Sequence, residues 1–226
     1  MKLLSLDTST SNFSLALSLD GEIKEENLNL GSGLSDAIIP TIKTFLRDKK
    51  ISLKDLGGMV VGIGPGSFTG LRIGLAVAKA FSLGLRKPLV GVPSLDGLAM
   101  NALNYAQKIC CIVDAKREKV YAVIYRNNKG VLKKETPYLL TDIKDLLNNI
   151  SGETWFLGDG INLYQNQIKK ALGKRANFAL AGHWFPKAGN LAKLAQPKFS
   201  SGKLDDPYKL VPIYLYPPEC QVRLKR

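Results

Sequence analysis

The chain has 226 residues, 45% of them apolar, and a formal net charge of +13. This is apolar material for one large core or two smaller ones, and no run of about 18 uncharged apolar residues is available to cross a membrane, because Arg72 and Lys79 interrupt the best candidate. Cys110 and Cys111 are adjacent and Cys220 is remote, so no metal-ligand spacing appears; buried small hydrophobes in a cytoplasmic chain are expected.

Leu3–Leu6 reads as a buried strand; the apolar start resembles a signal peptide, but Asp7 ends it too early. Ser14–Leu19 and Glu22–Leu28 flank Asp20-Gly21, a strong hairpin signal. Ile38, Ile39, Ile42, Phe45 and Leu46 recur at helical spacing and predict a helix over Ser35–Lys49. A strand at Met59–Ile63, a helix at Ser67–Leu85, a strand at Pro88–Val92 and a helix at Ser94–Tyr105, capped by Ser94, follow.

The second half repeats that order. Strands are expected at Ile109–Asp114, Lys119–Arg126 and Val131–Tyr138, then a helix at Asp142–Asn149 and a strand at Trp155–Leu157. A helix at Asn162–Leu172, a strand at Ala176–Leu180, a helix at Ala188–Ala195 and a proline-rich tail complete the chain. Two β-β-β-α-β-α-β-α units predict an α/β protein of two lobes, residues 1–105 and 106–226, each a mixed sheet flanked by helices. Charge is uneven: residues 105–226 hold 21 Lys and Arg against 10 Asp and Glu, whereas residues 1–104 hold 11 against 9. The basic half suits either a polyanion such as RNA or a plain solvated surface.

Residues 62–70, Gly-Ile-Gly-Pro-Gly-Ser-Phe-Thr-Gly, sit between a strand and a helix, where phosphates are often cradled. They match no phosphate fingerprint: Ser67 stands where the dinucleotide pattern needs glycine, and Leu71 where the P-loop needs lysine. Gly66, Gly70, Gly74, Ala78 and Ser82 instead recur every four residues and form one shallow stripe. Such a stripe lets another backbone approach, either the chain's own sheet or a helix of another subunit. The single histidine, His183, provides no paired metal ligand and no evident base for a serine nucleophile.

Asp7-Thr8-Ser9-Thr10, Gly62-x-Gly64-Pro65-Gly66-Ser67-Phe68-Thr69-Gly70-Leu71-Arg72, Val92-Pro93-Ser94-Leu95-Asp96, Val113-Asp114-Ala115-Lys116-Arg117-x-x-Val120-Tyr121 and Gly158-Asp159-Gly160 occur in that order. Together they resemble the bacterial TsaB (YeaZ) family over nearly the whole chain. The resemblance implies the two RNase H-like lobes of the sugar kinase, actin and Hsp70-type ATPase fold. It also implies an accessory subunit, not an enzyme on its own, in the synthesis of threonylcarbamoyladenosine in tRNA. Implied partners are the catalytic paralogue TsaD, the small ATPase TsaE and, through the complex, tRNA, with a homodimer when alone and no membrane. ATP and magnesium are expected for the complex and no cofactor for this chain.

The ATPase fold places a first phosphate hairpin at Asp7, Thr8 and Ser9, the candidate cofactor-binding residues here. The second hairpin, Ala115–Lys119, lacks glycine, which argues against an autonomous ATPase or small-molecule kinase, the alternative function. The resemblance favours the intersubunit reading of the stripe, giving Ile38, Ile42, Phe45, Gly66, Gly70, Gly74 and Ala78 as the expected partner interface. One departure is Leu34, where the family commonly carries histidine.

Overall fold

The structure, a computed structural model, describes residues 1–217; Cys220 lies outside them. The elements run β1 (Lys2–Asp7), β2 (Asn12–Leu19), β3 (Glu22–Asn29), α1 (Leu34–Asp48), β4 (Gly58–Gly62), α2 (Phe68–Leu85), β5 (Leu89–Val92) and α3 (Ser94–Ala99). Then come β6 (Lys108–Lys116), β7 (Lys119–Asn128), β8 (Val131–Lys134), β9 (Leu139–Asp142), α4 (Ile143–Asn148), β10 (Thr154–Leu157), α5 (Ile161–Leu172), β11 (Ala176–Phe178) and α6 (Ala188–Ser200).

The first sheet has the order β3-β2-β1-β4-β5. Its first three strands are antiparallel, and β4 and β5 continue parallel to β1, the mixed RNase H-like arrangement. Asp20 and Gly21, at φ 47° and 102°, make the left-handed turn expected between β2 and β3. Alternation along β1 sends Leu4 and Leu6 to one face, where they pack with Ile38, Ile42 and Phe45 of α1 and Leu75 and Ala78 of α2. Leu3 points to the other face and meets Val60, Val90, Leu191 and Ala195.

This second face corrects the expected lobe boundary. The compact units are residues 1–97 with 186–213, and residues 98–185 with the stretch from Tyr214. Helix α6 therefore belongs to the first unit. Its N-terminal amides, Ala188 N and Gly189 N, donate to Ser14 Oγ (2.8 Å) and Glu25 Oε2 (3.0 Å), so distant side chains satisfy the helix end that its own sequence leaves uncapped. The following tail also stays with this unit: Asp205 accepts from Gly91 N at 2.9 Å, and Ile213 N donates to Ile63 O at 2.8 Å.

The second unit carries the order β11-β10-β6-β7-β8, with β9 paired to the other end of β7. One face holds Cys110, Ile112, Ile124 and Phe156 against Ile143 and Leu146 of α4 and Ile161, Ile168 and Leu172 of α5. Cys110 and Cys111 are fully buried, as expected. The single strand expected over Val131–Tyr138 is interrupted: β8 ends at Lys134 and β9 begins at Leu139. Helix α3 is also shorter than expected, giving way to a 3-10 turn at Met100–Ala102.

Candidate functional site

The ends of β1, β4 and β5 meet in a polar knot built from the two motifs that stand out in the first half of the sequence. Asp7 ends β1 and is fully buried. Its Oδ1 accepts from Ser9 N (2.9 Å) and Ser9 Oγ (2.6 Å), and its Oδ2 from Ser94 Oγ (2.6 Å). Ser94 Oγ also accepts from Gly64 N at 3.0 Å, so this hydroxyl bridges two loops rather than capping α3. Burial pushes the Asp7 carboxyl above its usual range, against the three hydrogen bonds that pull it down.

The glycine-rich loop lies directly on this knot. Ser67 N donates to Ser9 O at 2.7 Å, and Thr8 Oγ1 donates to Gly70 O at 2.8 Å. A Cβ at Gly66 would stand 2.2 Å from Ser9 O, one at Gly70 2.1 Å from Thr8 O, and one at Gly74 2.1 Å from Thr8 Oγ1. These positions stay glycine because α2 and its leading loop press onto the backbone after β1. Of the two readings of the stripe, the structure realises packing on the chain's own sheet.

Two expectations change accordingly. The interface residues Gly66, Gly70, Gly74 and Ala78 face inward, and Ile38, Ile42 and Phe45 sit in the first unit's core at 0–1% exposure, so none of the seven is on the surface. Leu34, the departure from the family pattern, packs into the same core. Asp7, Thr8 and Ser9 are at most 2% exposed with their polar groups engaged, so the candidate cofactor residues form a closed structural joint.

The surface face was missed by the sequence reading. Helix α2 is 18 residues long and apolar enough to cross a membrane by length and composition, yet only 33% of it is buried. Its inner row is Gly70, Leu71, Gly74, Leu75, Ala78 and Ser82. On the outside lie exposed Ala76, Ala80 and Leu83, bounded by Arg72, while half-buried Ile73, Val77 and Phe81 flank the helix and pack against the core. A helix apolar all round hides which side faces in. The glycine row was the available signal, since glycine marks where backbone, not side chain, must come close.

In the second unit the turn after Asp114 runs through three non-glycine residues with positive φ: Lys116 (64°), Arg117 (51°) and Glu118 (59°). Left-handed backbone at three L-residues is costly, and all three residues are exposed. Lys116 Nζ pairs with Asp114, and the Arg117 guanidinium lies 5.7 Å from the centre of the Tyr216 ring. Asp159, between Gly158 and Gly160, accepts from Asp114 N at 2.9 Å, and burial raises its carboxyl's pKa. His183 Nδ1 lies 3.1 Å from Tyr105 Oη, a packing role rather than a metal site. Among the described residues no group of three His, Cys, Asp or Glu is placed to hold a metal ion.

Comparison with known proteins assigns this arrangement. A family model described as TsaD, tRNA N6-adenosine threonylcarbamoyltransferase, matches residues 32–216. The tRNA threonylcarbamoyladenosine biosynthesis protein TsaB of Bacillus subtilis is 32% identical, covering 99% of this chain and 97% of that protein. The chain belongs to the TsaB family. Escherichia coli TsaB is 30% identical over 95% of this chain and 94% of its own length. The solved structure of YeaZ from Pseudomonas aeruginosa superimposes with a TM-score of 0.79 at 22% identity, over 95% of this chain and 99% of that one. This TsaB-family chain thus has the expected two-sheet fold and a role in the biosynthesis of threonylcarbamoyladenosine in tRNA.

Proposed function

We propose that the chain is a cytoplasmic, non-catalytic partner subunit that pairs with a TsaD-type paralogue through the outer face of α2. The observation that carries this reading is the contrast between two faces of one helix. The inner row is consumed by the knot around Asp7, while the outer row leaves Ala76, Ala80 and Leu83 in water on a helix that is two-thirds unburied. Apolar side chains left exposed along one helix fit an interaction site, and the alanines among them allow another helix to come close. The closed carboxylate at Asp7 and the glycine-free turn at Lys116–Glu118 argue against an autonomous ATPase or kinase.

The test is sedimentation of the chain with the host's TsaD paralogue. Ala76→Glu keeps good helix propensity at an exposed position beside Arg72 and Lys79, and it should abolish pairing while the circular dichroism spectrum is unchanged. A folded Ala76→Glu variant that pairs like wild type would place the interface elsewhere.

A further inference from the structure

The second unit carries a basic face that the partner role leaves unused. Between Asp159 and Asp205 the chain has no Asp or Glu and eight Lys or Arg. Four of the eight, Lys169, Lys170, Lys174 and Arg175, fall on the last turn of α5 and the 3-10 turn after it, and all four are exposed. At helical and 3-10 rises they occupy about 10 Å of chain. None of the four is in an ion pair among the described residues; Lys169 Nζ lies 5.6 Å from the centre of the Phe178 ring.

Helix α5 is amphipathic in a way that separates the two roles. Ile161, Ile168 and Leu172 hold it to the sheet, while exposed Asn162, Asn166 and Gln167 extend the polar side away from the cations. Lysines in a last helical turn complement the helix dipole, which accounts for Lys169 and Lys170. Lys174 and Arg175 lie beyond the helix and gain nothing from it. Four uncompensated cations at one helix end repel one another, and a polyanion relieves that repulsion.

We infer that this face binds the phosphodiester backbone of tRNA during modification. That the RNA is tRNA rests on the role proposed above; the face itself rests on charge. Cations and amides together suit phosphate and sugar contacts, which position an RNA without reading its bases. About four such contacts give a slope of log affinity on log salt near −3, so binding weakens roughly 50- to 150-fold between 50 and 200 mM salt.

The experiment measures binding of a fluorescent tRNA transcript to the chain assembled with its TsaD paralogue. The variant Lys169→Glu, Lys170→Glu, Lys174→Glu, Arg175→Glu is compared with Lys43→Glu, Lys54→Glu, Lys129→Glu, Lys133→Glu, which changes net charge equally at exposed positions elsewhere. At 50 mM salt the first should bind at least tenfold more weakly, with a flatter salt slope, and the second within threefold of wild type. Equal losses in both variants would reduce the effect to net charge, and unchanged binding in the first would remove the RNA face; either overturns the inference. Loss of paralogue pairing in the first variant with tRNA binding intact would make the face a protein contact, which also overturns it. Sedimentation separates this from the partner reading, since wild type that binds tRNA without pairing would refute the latter alone.

Discussion

The claim that the glycine stripe is internal predicts opposite effects for one substitution at two positions of the same helix. At Gly74, alanine gains about 1 kcal/mol of helix propensity. Its Cβ, however, would sit 2.1 Å from Thr8 Oγ1 and 3.2 Å from Leu6 Cδ1. Thr8 must rotate away and give up its bond to Gly70 O, worth about 1 kcal/mol, and the overpacked contact costs about 1–3 kcal/mol more. The sum is a net loss of about 1–3 kcal/mol. At Gly84 nothing lies within 4 Å of the added methyl and φ is not positive, so alanine should stabilise by about 0.5–1 kcal/mol. Urea unfolding followed by circular dichroism measures both, with the shift in midpoint read at constant slope. If Gly74→Ala gains stability as Gly84→Ala does, the stripe does not touch the loop after β1 and the account of the motif is wrong.

Ile42→Asp should unfold the first unit rather than merely block pairing, because Ile42 is fully buried and the charge has no partner there; a folded variant by circular dichroism would contradict the core assignment. Asp7 gives a pH signature. Its folded pKa is raised, so its favourable contribution is complete below the ordinary value of 3.8 and is lost as pH rises toward the folded value. Urea midpoints of wild type minus Asp7→Asn should therefore fall as pH rises from about 4; a difference constant with pH would show that Asp7 ionises as freely as an exposed carboxyl.

Much of the fold was legible because its signals are local. The Asp20-Gly21 turn and the Ile38, Ile42 and Phe45 periodicity each specify an element within a few residues, and the structure has them. The placement of α6 was not legible in that way. Its buried row, Leu191, Ala192 and Ala195, fits either sheet equally well by pattern; Ser14 and Glu25, more than 150 positions earlier, receive its N-terminal amides. The candidate site failed for a related reason. Gly-Pro-Gly-Ser-Phe-Thr-Gly records that something comes within backbone distance, and a partner helix and the chain's own Thr8 and Ser9 make the same demand. The closeness of Gly66, Gly70 and Gly74 to Ser9 and Thr8, about 60 positions earlier, shows that the demand is internal.

The central claim is that this chain supports tRNA modification by pairing through the outer face of α2. Its most direct test is the amount of threonylcarbamoyladenosine formed in a tRNA transcript by the host's TsaD paralogue and the other pathway proteins, measured by mass spectrometry of the digested nucleosides. The account predicts product with the wild-type chain and none without it, and a loss with Ala76→Glu as deep as omission. Full product with a folded Ala76→Glu chain, or product from this chain without the paralogue, would contradict it.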